Sequence, residues 1–449
     1  MSGMSLSRRE ALGSLACGLA FSAARAQTTH APTAAHTPTD KTPPSVVAGI
    51  PVNYDESRVG TYTLPDPLTL ANGTPVRDAK TWYHERRPQI VRLYEENQFG
   101  RSPERPAGMH FDVFDKGTPA LNGKAIRRQI TIYFSKDTSG PKVDVLLYLP
   151  MHVPKPVPVL LNISFSANSS LVDDPGVKHG EIWNKAHKKV PAPATAAFGK
   201  VDIPQILAQG MGFATAYYGD IEPDFDGGLP HGVRARYLRP GHSKPAPDEW
   251  GAIAAWSWGL SRIMDYLETD RDVDHKHVAL IGVSRLGKTV LWTGARDPRF
   301  ALVIASCSGE GGAALSRRNY GETVKHLVAP TRFAYQFCAN YQKYADHVDQ
   351  LPVDGNMLIS LMAPRPLLLQ TGNKDYWSDP KGEFLAAVAA GPVFELLGAQ
   401  GLGTTQMPPA RTPILHTLGY YMHDGGHGTL PSDWEIFFRF LRMHGQTKA

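Results

Sequence analysis

Cysteine is scarce in this chain of 449 residues, with Cys17, Cys307 and Cys338 the only three. No His/Cys cluster has the spacing of a zinc site, so a structural metal is not expected. Charge of one sign is nowhere concentrated. The formal net charge of +5 is spread along the chain without a long basic run, which leaves nucleic-acid binding without support. The apolar run near the N-terminus is too short to span a bilayer, and no internal repeat is present, so neither a membrane partner nor a repeat architecture is expected. What remains is a composition rich in Gly and Pro, and a length sufficient for a large core.

The short apolar run explains the N-terminus. Ser7-Arg8-Arg9 precedes residues 11–24, which end in Ala24-Arg25-Ala26. A charged region, a short apolar region and a small-x-small site form an export signal over residues 1–26. The paired arginines resemble a twin-arginine signal. The expected location is periplasmic or secreted. Cys17 leaves with the signal, so the mature chain keeps Cys307 and Cys338. They either pair, as an export compartment permits, or stay as buried thiols. Residues 27–45 are rich in Thr, Ala and Pro and read as a flexible tether.

Residues 46–125 read as a Pro-rich N-terminal extension packed on the core, with one helix near 80–97. Residues 126–449 read as the catalytic domain. Strands are expected at 129–134, 143–149, 157–163, 212–218, 278–281, 302–306, 365–372 and 414–422. Helices fall between them, at 203–209, 249–268, 384–397 and after a capping box at Ser432-Asp433-Trp434-Glu435. Such alternation predicts an α/β fold, a mostly parallel central sheet sandwiched by helices. The long stretches 168–201 and 220–247 lack periodicity and read as functional loops.

The chemistry centres on Gly282-Val283-Ser284-Arg285-Leu286-Gly287-Lys288-Thr289, between a buried strand and a helix. Two motifs share these letters. One is a nucleophile elbow, with Leu286 where G-x-S-x-G expects glycine. The other is a phosphate loop, G-x-x-x-x-G-K-[ST]. The remainder of the chain favours the elbow. An acid, Asp375, follows a late strand, and His427 sits in Asp424-Gly425-Gly426-His427-Gly428 after the last one. That is the chain order Ser, acid, His of an α/β-hydrolase fold. A phosphate loop belongs after the first core strand, and several strands precede this one. Asp379-Pro380 has the form of a helix cap, which leaves Asp375 as the acid. His423, at the end of its strand, is the weaker rival of His427 as base. Asp224-Phe225-Asp226-Gly227 lacks the other ligands of a calcium loop and reads as a solvated turn.

Gly282-Val283-Ser284-Arg285-Leu286-Gly287-Lys288 resembles the G-C-S-R-x-G-K signature of the glucuronoyl esterases, carbohydrate esterase family 15. The resemblance continues through Trp256-Ser257-Trp258-Gly259-Leu260, Asp297-Pro298-Arg299-Phe300, residues 317–322 and Asp375-Tyr376-Trp377-Ser378-Asp379-Pro380, and ends at His427 and Asp433-Trp434. It is greatest to the bacterial branch, whose long loops rim the site. It implies hydrolysis of esters between (4-O-methyl)-glucuronic acid and lignin alcohols. No cofactor or metal is expected, and the chain is expected to act as a monomer. The resemblance implies Ser284 as nucleophile, His427 as base, Arg285 as oxyanion donor, and Lys288, Glu322 and Trp377 as uronate contacts. Many members carry their acid as Glu just after the strand following the elbow. Cys307 stands there in this chain and Glu310 is offset from it, so the resemblance leaves Asp375 to carry the acid role. Ser164 and Phe165 stand where members often have Gly-rich sequence, a change expected to alter the pocket. Two alternatives stay open: another carbohydrate esterase of the same fold, of acetyl-xylan type, and a catalytically weak carbohydrate-binding relative.

Overall fold

The computed structural model describes residues 43–196, 198–199 and 201–448. The expected export signal, Cys17 and most of the tether lie outside the described residues. A nine-stranded sheet organises the chain. Its strands are β1 (His110–Ala120), β2 (Ala125–Tyr133), β3 (Lys142–Pro150), β4 (Val157–Ser164), β5 (Gly212–Tyr217), β6 (Val273–Val283), β7 (Leu302–Ser306), β8 (Leu367–Gly372) and β9 (Leu418–His423). They lie in the order β9-β8-β7-β6-β4-β5-β3-β2-β1. From β5 to β9 every neighbouring pair is parallel, while β1, β2 and β3 are joined antiparallel to one another and to β5.

The central strands are apolar runs because both sheet faces are covered. Val278, Ala279, Leu280 and Ile281 of β6 are all buried, with one core cluster on each face of the sheet. The main helices are α1 (Arg87–Asn97), α2 (Ala252–Leu267), α3 (Arg285–Arg296), α4 (Pro380–Leu396) and α5 (Asp433–Met443). The spacing of Ile253, Trp256, Leu260, Ile263 and Leu267 predicts one buried face on α2, yet every residue of that helix except Ser261 is buried. The N-terminal residues cover its outer side. Gly251 N–H donates to the Phe99 carbonyl at 2.9 Å, and Trp258 Nε1 donates to the Pro103 carbonyl at 2.9 Å. Phe99 also stacks on Trp292 of α3, centroids 4.7 Å apart, and lies 5.8 Å from Tyr94 of α1. Each such side chain contributes about 1.5–3 kcal/mol by leaving water, so Tyr94 and Phe99 hold the elbow helix from outside.

Some local expectations differ from the structure. Residues 110–120, read within the N-terminal extension, form the outer strand β1. Its residues are largely exposed, its register with β2 shifts between Val113 and Thr118, and it carries Pro119, as suits an edge. The last strand begins at Leu418, because Ile414 instead bridges back to Tyr420 in antiparallel sense. Ser432 makes no capping bond: its backbone is already helical, and the Asp433 side chain accepts from Leu430 N–H at 2.7 Å. Cys307 and Cys338 are both buried and free.

Candidate active site

The parallel strands β6, β8 and β9 end at the same edge of the sheet, where open α/β sheets bind ligands. At the end of β6, Ser284 adopts φ 61° and ψ −129°. A non-glycine residue in that region is strained, and the strain lifts its side chain above the sheet. The unusual glycine spacing has a steric cause. A Cβ at Gly282 would run into the Leu286 carbonyl, and one at Gly287 would lie 2.7 Å from the Ser306 carbonyl of β7. Close helix packing on β7 therefore requires glycine at 287, and Leu286 turns into the core, fully buried.

Gly372 and His423 are direct partners in the β8–β9 register, so the two following loops leave the sheet side by side. They are stitched together by Lys374 N–H to the Gly425 carbonyl (2.9 Å) and Gly425 N–H to Asn373 Oδ1 (3.0 Å). This brings His427 Nδ1 to 2.7 Å from Asp375 Oδ2. Ser378 Oγ is 3.2 Å from the same nitrogen. Burial works against the Asp375 charge, but the His427 ring and the Ser378 and Cys307 donors hold its carboxyl below the usual range. Asp375 is 3 % exposed and His427 37 %, so the acid is sheltered while the imidazole reaches the cavity. Among the described residues no hydrogen bond joins Ser284 Oγ to His427; both line one cavity of about 350 Å³. A contact of this kind commonly tightens only with substrate in place.

The same cavity gathers Arg285, Lys288, Glu322 and Trp377, all of them expected, and adds Arg332, Phe333, Gln336 and Tyr376. Lys288 is buried one helical turn beyond Ser284. Burial pulls its ammonium down while Glu322 pulls it up. Glu322 accepts from Arg332 at 2.6 Å, and burial pushes its carboxyl up against Lys288 and Arg332. Its own N–H donates to the Trp377 carbonyl at 2.8 Å, so the Glu322 loop is tied to the Asp375 loop. Arg332 lies 5.2 Å from the Trp377 ring centroid. The result is a cluster of fixed charges facing a polar guest.

Asp224 corrects the solvated-turn reading. Its side chain is 8 % exposed, and Arg285 Nη1 donates to it at 2.5 Å. Tyr218, Tyr335 and Gln336 donate to its two oxygens at 2.8, 2.8 and 2.7 Å. Burial opposes the Arg285 charge, and Asp224 restores it. Phe333 closes the other side, 4.7 Å from the guanidinium carbon. Phe165, singled out in the sequence, is a further ring at 6.0 Å. In the sequence Asp224 stood out only in the Asp224-Phe225-Asp226-Gly227 turn and the long aperiodic loop that carries it, neither of which points to Arg285.

The rival candidates are placed elsewhere. His423 is buried, with Nδ1 2.8 Å from Asp433 Oδ2 and Nε2 2.9 Å from the Gly426 carbonyl. It pins both ends of the loop bearing His427, a role the sequence did not reveal. Asp379 caps α4 by accepting from Gly382 N–H at 3.0 Å, and it pairs with Arg318. Glu310 is buried among other partners, Ser316 Oγ at 2.6 Å and Tyr341 OH at 3.2 Å, and burial raises its carboxyl to about 8. Cys307 does face the pair. Its Sγ accepts from Gly428 N–H at 3.3 Å, and burial pushes the thiol up, away from thiolate. Among the described residues, ligand-type atoms converge to within 4.8 Å in one group, Cys307, Asp375 and His427, two of which are already bonded to each other.

A family model for fungal glucuronyl esterases matches residues 182–398. A carbohydrate esterase of an unidentified prokaryote is 43 % identical over 401 residues, 87 % of this chain and 92 % of that protein. The solved glucuronoyl esterase from Solibacter usitatus is 45 % identical and superposes with a TM-score of 0.83, covering 87 % of this chain and all of the other. A 4-O-methyl-glucuronoyl methylesterase of Schizophyllum commune is 29 % identical over 75 % of this chain and 74 % of its own. The elbow, the sheet and these likenesses agree, and the chain belongs to the glucuronoyl esterases of carbohydrate esterase family 15.

Proposed function

We propose that the chain hydrolyses esters of 4-O-methyl-D-glucuronic acid, as in links between glucuronoxylan and lignin alcohols, through Ser284, His427 and Asp375. The observation that carries this reading is the 2.7 Å bond from His427 to a sheltered Asp375, beside a cavity shared by Ser284 and the Lys288–Glu322 charges. Asp375 fixes the imidazole tautomer so that Nε2 faces the serine as a base. Ser284 Oγ attacks the acyl carbon and passes its proton to Nε2. The acyl oxygen becomes an oxyanion, which the free amides opening α3 and the Arg285 guanidinium stabilise. Collapse breaks the ester bond, and His427 returns the proton to the leaving alcohol. Water, activated by the same imidazole, then releases the uronic acid. Lys288 and Glu322 offer a donor and an acceptor to sugar hydroxyls, and Trp377 a flat wall to the ring.

Export to the periplasm or beyond, where such polymers are met, rests on the residues 1–26 and belongs to the same reading. Benzyl glucuronate and acetylated xylan, assayed side by side, test the function. Release of benzyl alcohol with little acetate is expected. The reverse result would make the chain an acetyl esterase, and no turnover of either would leave a binding protein.

A further inference from the structure

The Cys307 thiol lies beside the triad and takes no part in the ester chemistry. It follows β7 with φ 46°, a left-handed angle rarely adopted by a residue with a side chain. Its N–H donates to the Gln370 carbonyl of β8 at 2.6 Å, and Sγ lies 3.4 Å from the Gly428 carbonyl. Held on both sides, the thiol is aimed at Asp375, to which it donates. Although buried, Cys307 lines the catalytic cavity together with Ser284, Asp375 and His427. A solute that enters the cavity therefore reaches the sulfur.

Cysteine sulfur, imidazole nitrogen and carboxylate oxygen are the ligand types that hold zinc. Here one atom of each lies within 4.8 Å of the others, and His427 Nδ1 is 2.7 Å from Asp375 Oδ2. Around a tetrahedral zinc such atoms lie roughly 3.3–3.8 Å apart. Shifts of about 1 Å reach that spacing, with the His427–Asp375 contact opening and the widest separation closing. His427 is 37 % exposed and flanked by Gly426 and Gly428, so the ring is the partner that can move. A thiolate and a carboxylate balance the charge of a divalent ion, and a neutral imidazole makes a third ligand. The fourth position is left to water from the cavity, as in open zinc sites.

We infer that Cys307, Asp375 and His427 form an inhibitory site for zinc and other thiophilic divalent ions, bound through Nδ1 of the imidazole. On binding, the Cys307 thiol gives its proton to solvent. The imidazole proton leaves Nδ1 and is replaced by one on Nε2, so the ring stays neutral. One proton is released for each ion, and no electron is transferred. Nε2–H is then a donor and cannot accept the proton of Ser284. Asp375 meanwhile turns from the imidazole to the metal. The ion acts as an inhibitor rather than a cofactor. Magnesium, which takes oxygen ligands, should have no such effect. The inhibition rests on the triad reading above, whereas binding of the ion does not.

Cobalt(II) is the spectroscopic probe for zinc here, titrated into the full chain kept reduced and free of chelator. A thiolate-to-cobalt charge-transfer band is expected in the unsubstituted protein and in Ser284→Ala. It should survive Cys338→Ser, the other buried thiol, and vanish in Cys307→Ser. Zinc should inhibit turnover of benzyl glucuronate and magnesium should not, each protein being scored against its own metal-free rate. Cys307→Ser should raise the half-inhibiting zinc concentration by more than about tenfold, the least that loss of even an outer partner costs a metal site. His427→Ala should weaken cobalt binding by a similar factor, and it serves if Cys307→Ser does not fold. Absence of the band, its survival in Cys307→Ser, or full cobalt affinity in His427→Ala overturns the site. Zinc inhibition that is missing, or equal in Cys307→Ser, overturns the inhibitory role. A cobalt band in a protein with no metal-free turnover would refute the esterase reading and support the metal site.

Discussion

Asp224 Oδ2 accepts a hydrogen bond from Arg285 Nη1 at 2.5 Å, across 61 residues of sequence. The guanidinium beside the nucleophile is therefore held by a carboxylate from a loop, itself fixed by Tyr218, Tyr335 and Gln336. Asp224→Asn keeps the shape and removes the charge. A charge-assisted bond contributes about 1.5–3 kcal/mol, so kcat/KM on a glucuronate ester should fall about ten- to a hundredfold, with near-UV circular dichroism unchanged. Full activity in this variant would show that Arg285 needs no carboxylate to hold it.

Ser284→Ala should abolish turnover while binding of glucuronic acid, followed by calorimetry, survives. The hydroxyl lies on a strained turn that alanine can occupy at the same backbone angles, and the uronate contacts lie on other residues. Residual esterase activity at the original level would remove Ser284 from the chemistry.

The choice of acid can be tested against both alternatives. Asp375→Asn should lower kcat by about 10⁴, the scale set by triad acids elsewhere. Glu310→Gln should stay active, because Glu310 bonds Ser316 and Tyr341 rather than His427. An inactive Glu310→Gln beside an active Asp375→Asn would reverse the assignment.

Lys288→Ala should weaken glucuronate esters far more than a small acetyl ester. The ammonium lies buried in the cavity wall near Glu322, where a uronate ring would meet it. Equal losses on the two substrates would point to a general structural defect.

Glu383 predicts a pH dependence of stability. It is fully buried, accepts from Gly309 N–H at 2.6 Å, and burial raises its carboxyl to about 8 from an ordinary 4.5. In the unfolded chain it loses its proton near the ordinary value, while the fold keeps it. Between those two values the unfolded state binds fewer protons, so stability falls as pH rises. The contribution is complete below the ordinary value and is lost on the way to about 8. Glu383→Gln mimics the protonated form, and its melting temperature should fall less between pH 5 and pH 8 than that of the parent. An identical fall in both proteins would rule Glu383 out as the source.

The elbow, the parallel sheet and the order Ser284, Asp375, His427 were legible because each is written in short-range pattern. A buried strand, a glycine that no larger residue can replace, and a loop after a strand are local facts. The cap at Asp379 was legible for the same reason, with Pro380 following it. Where the pattern misled, a distant partner had intervened. The capping box expected of Ser432 and Glu435 does not form, since Ser432 is already helical, and the adjacent Asp433 is bonded to His423 and Leu430. Asp224 reads as one more acid in a polar loop until Arg285 is placed against it. Residues 43–44 read as the end of a tether until Tyr54 fastens them at the cavity. Backbone periodicity and turn chemistry are properties of neighbours in the chain. Which charge is buried against which, and which surface closes the site, depend on contacts between residues far apart in sequence, and only folding brings those together.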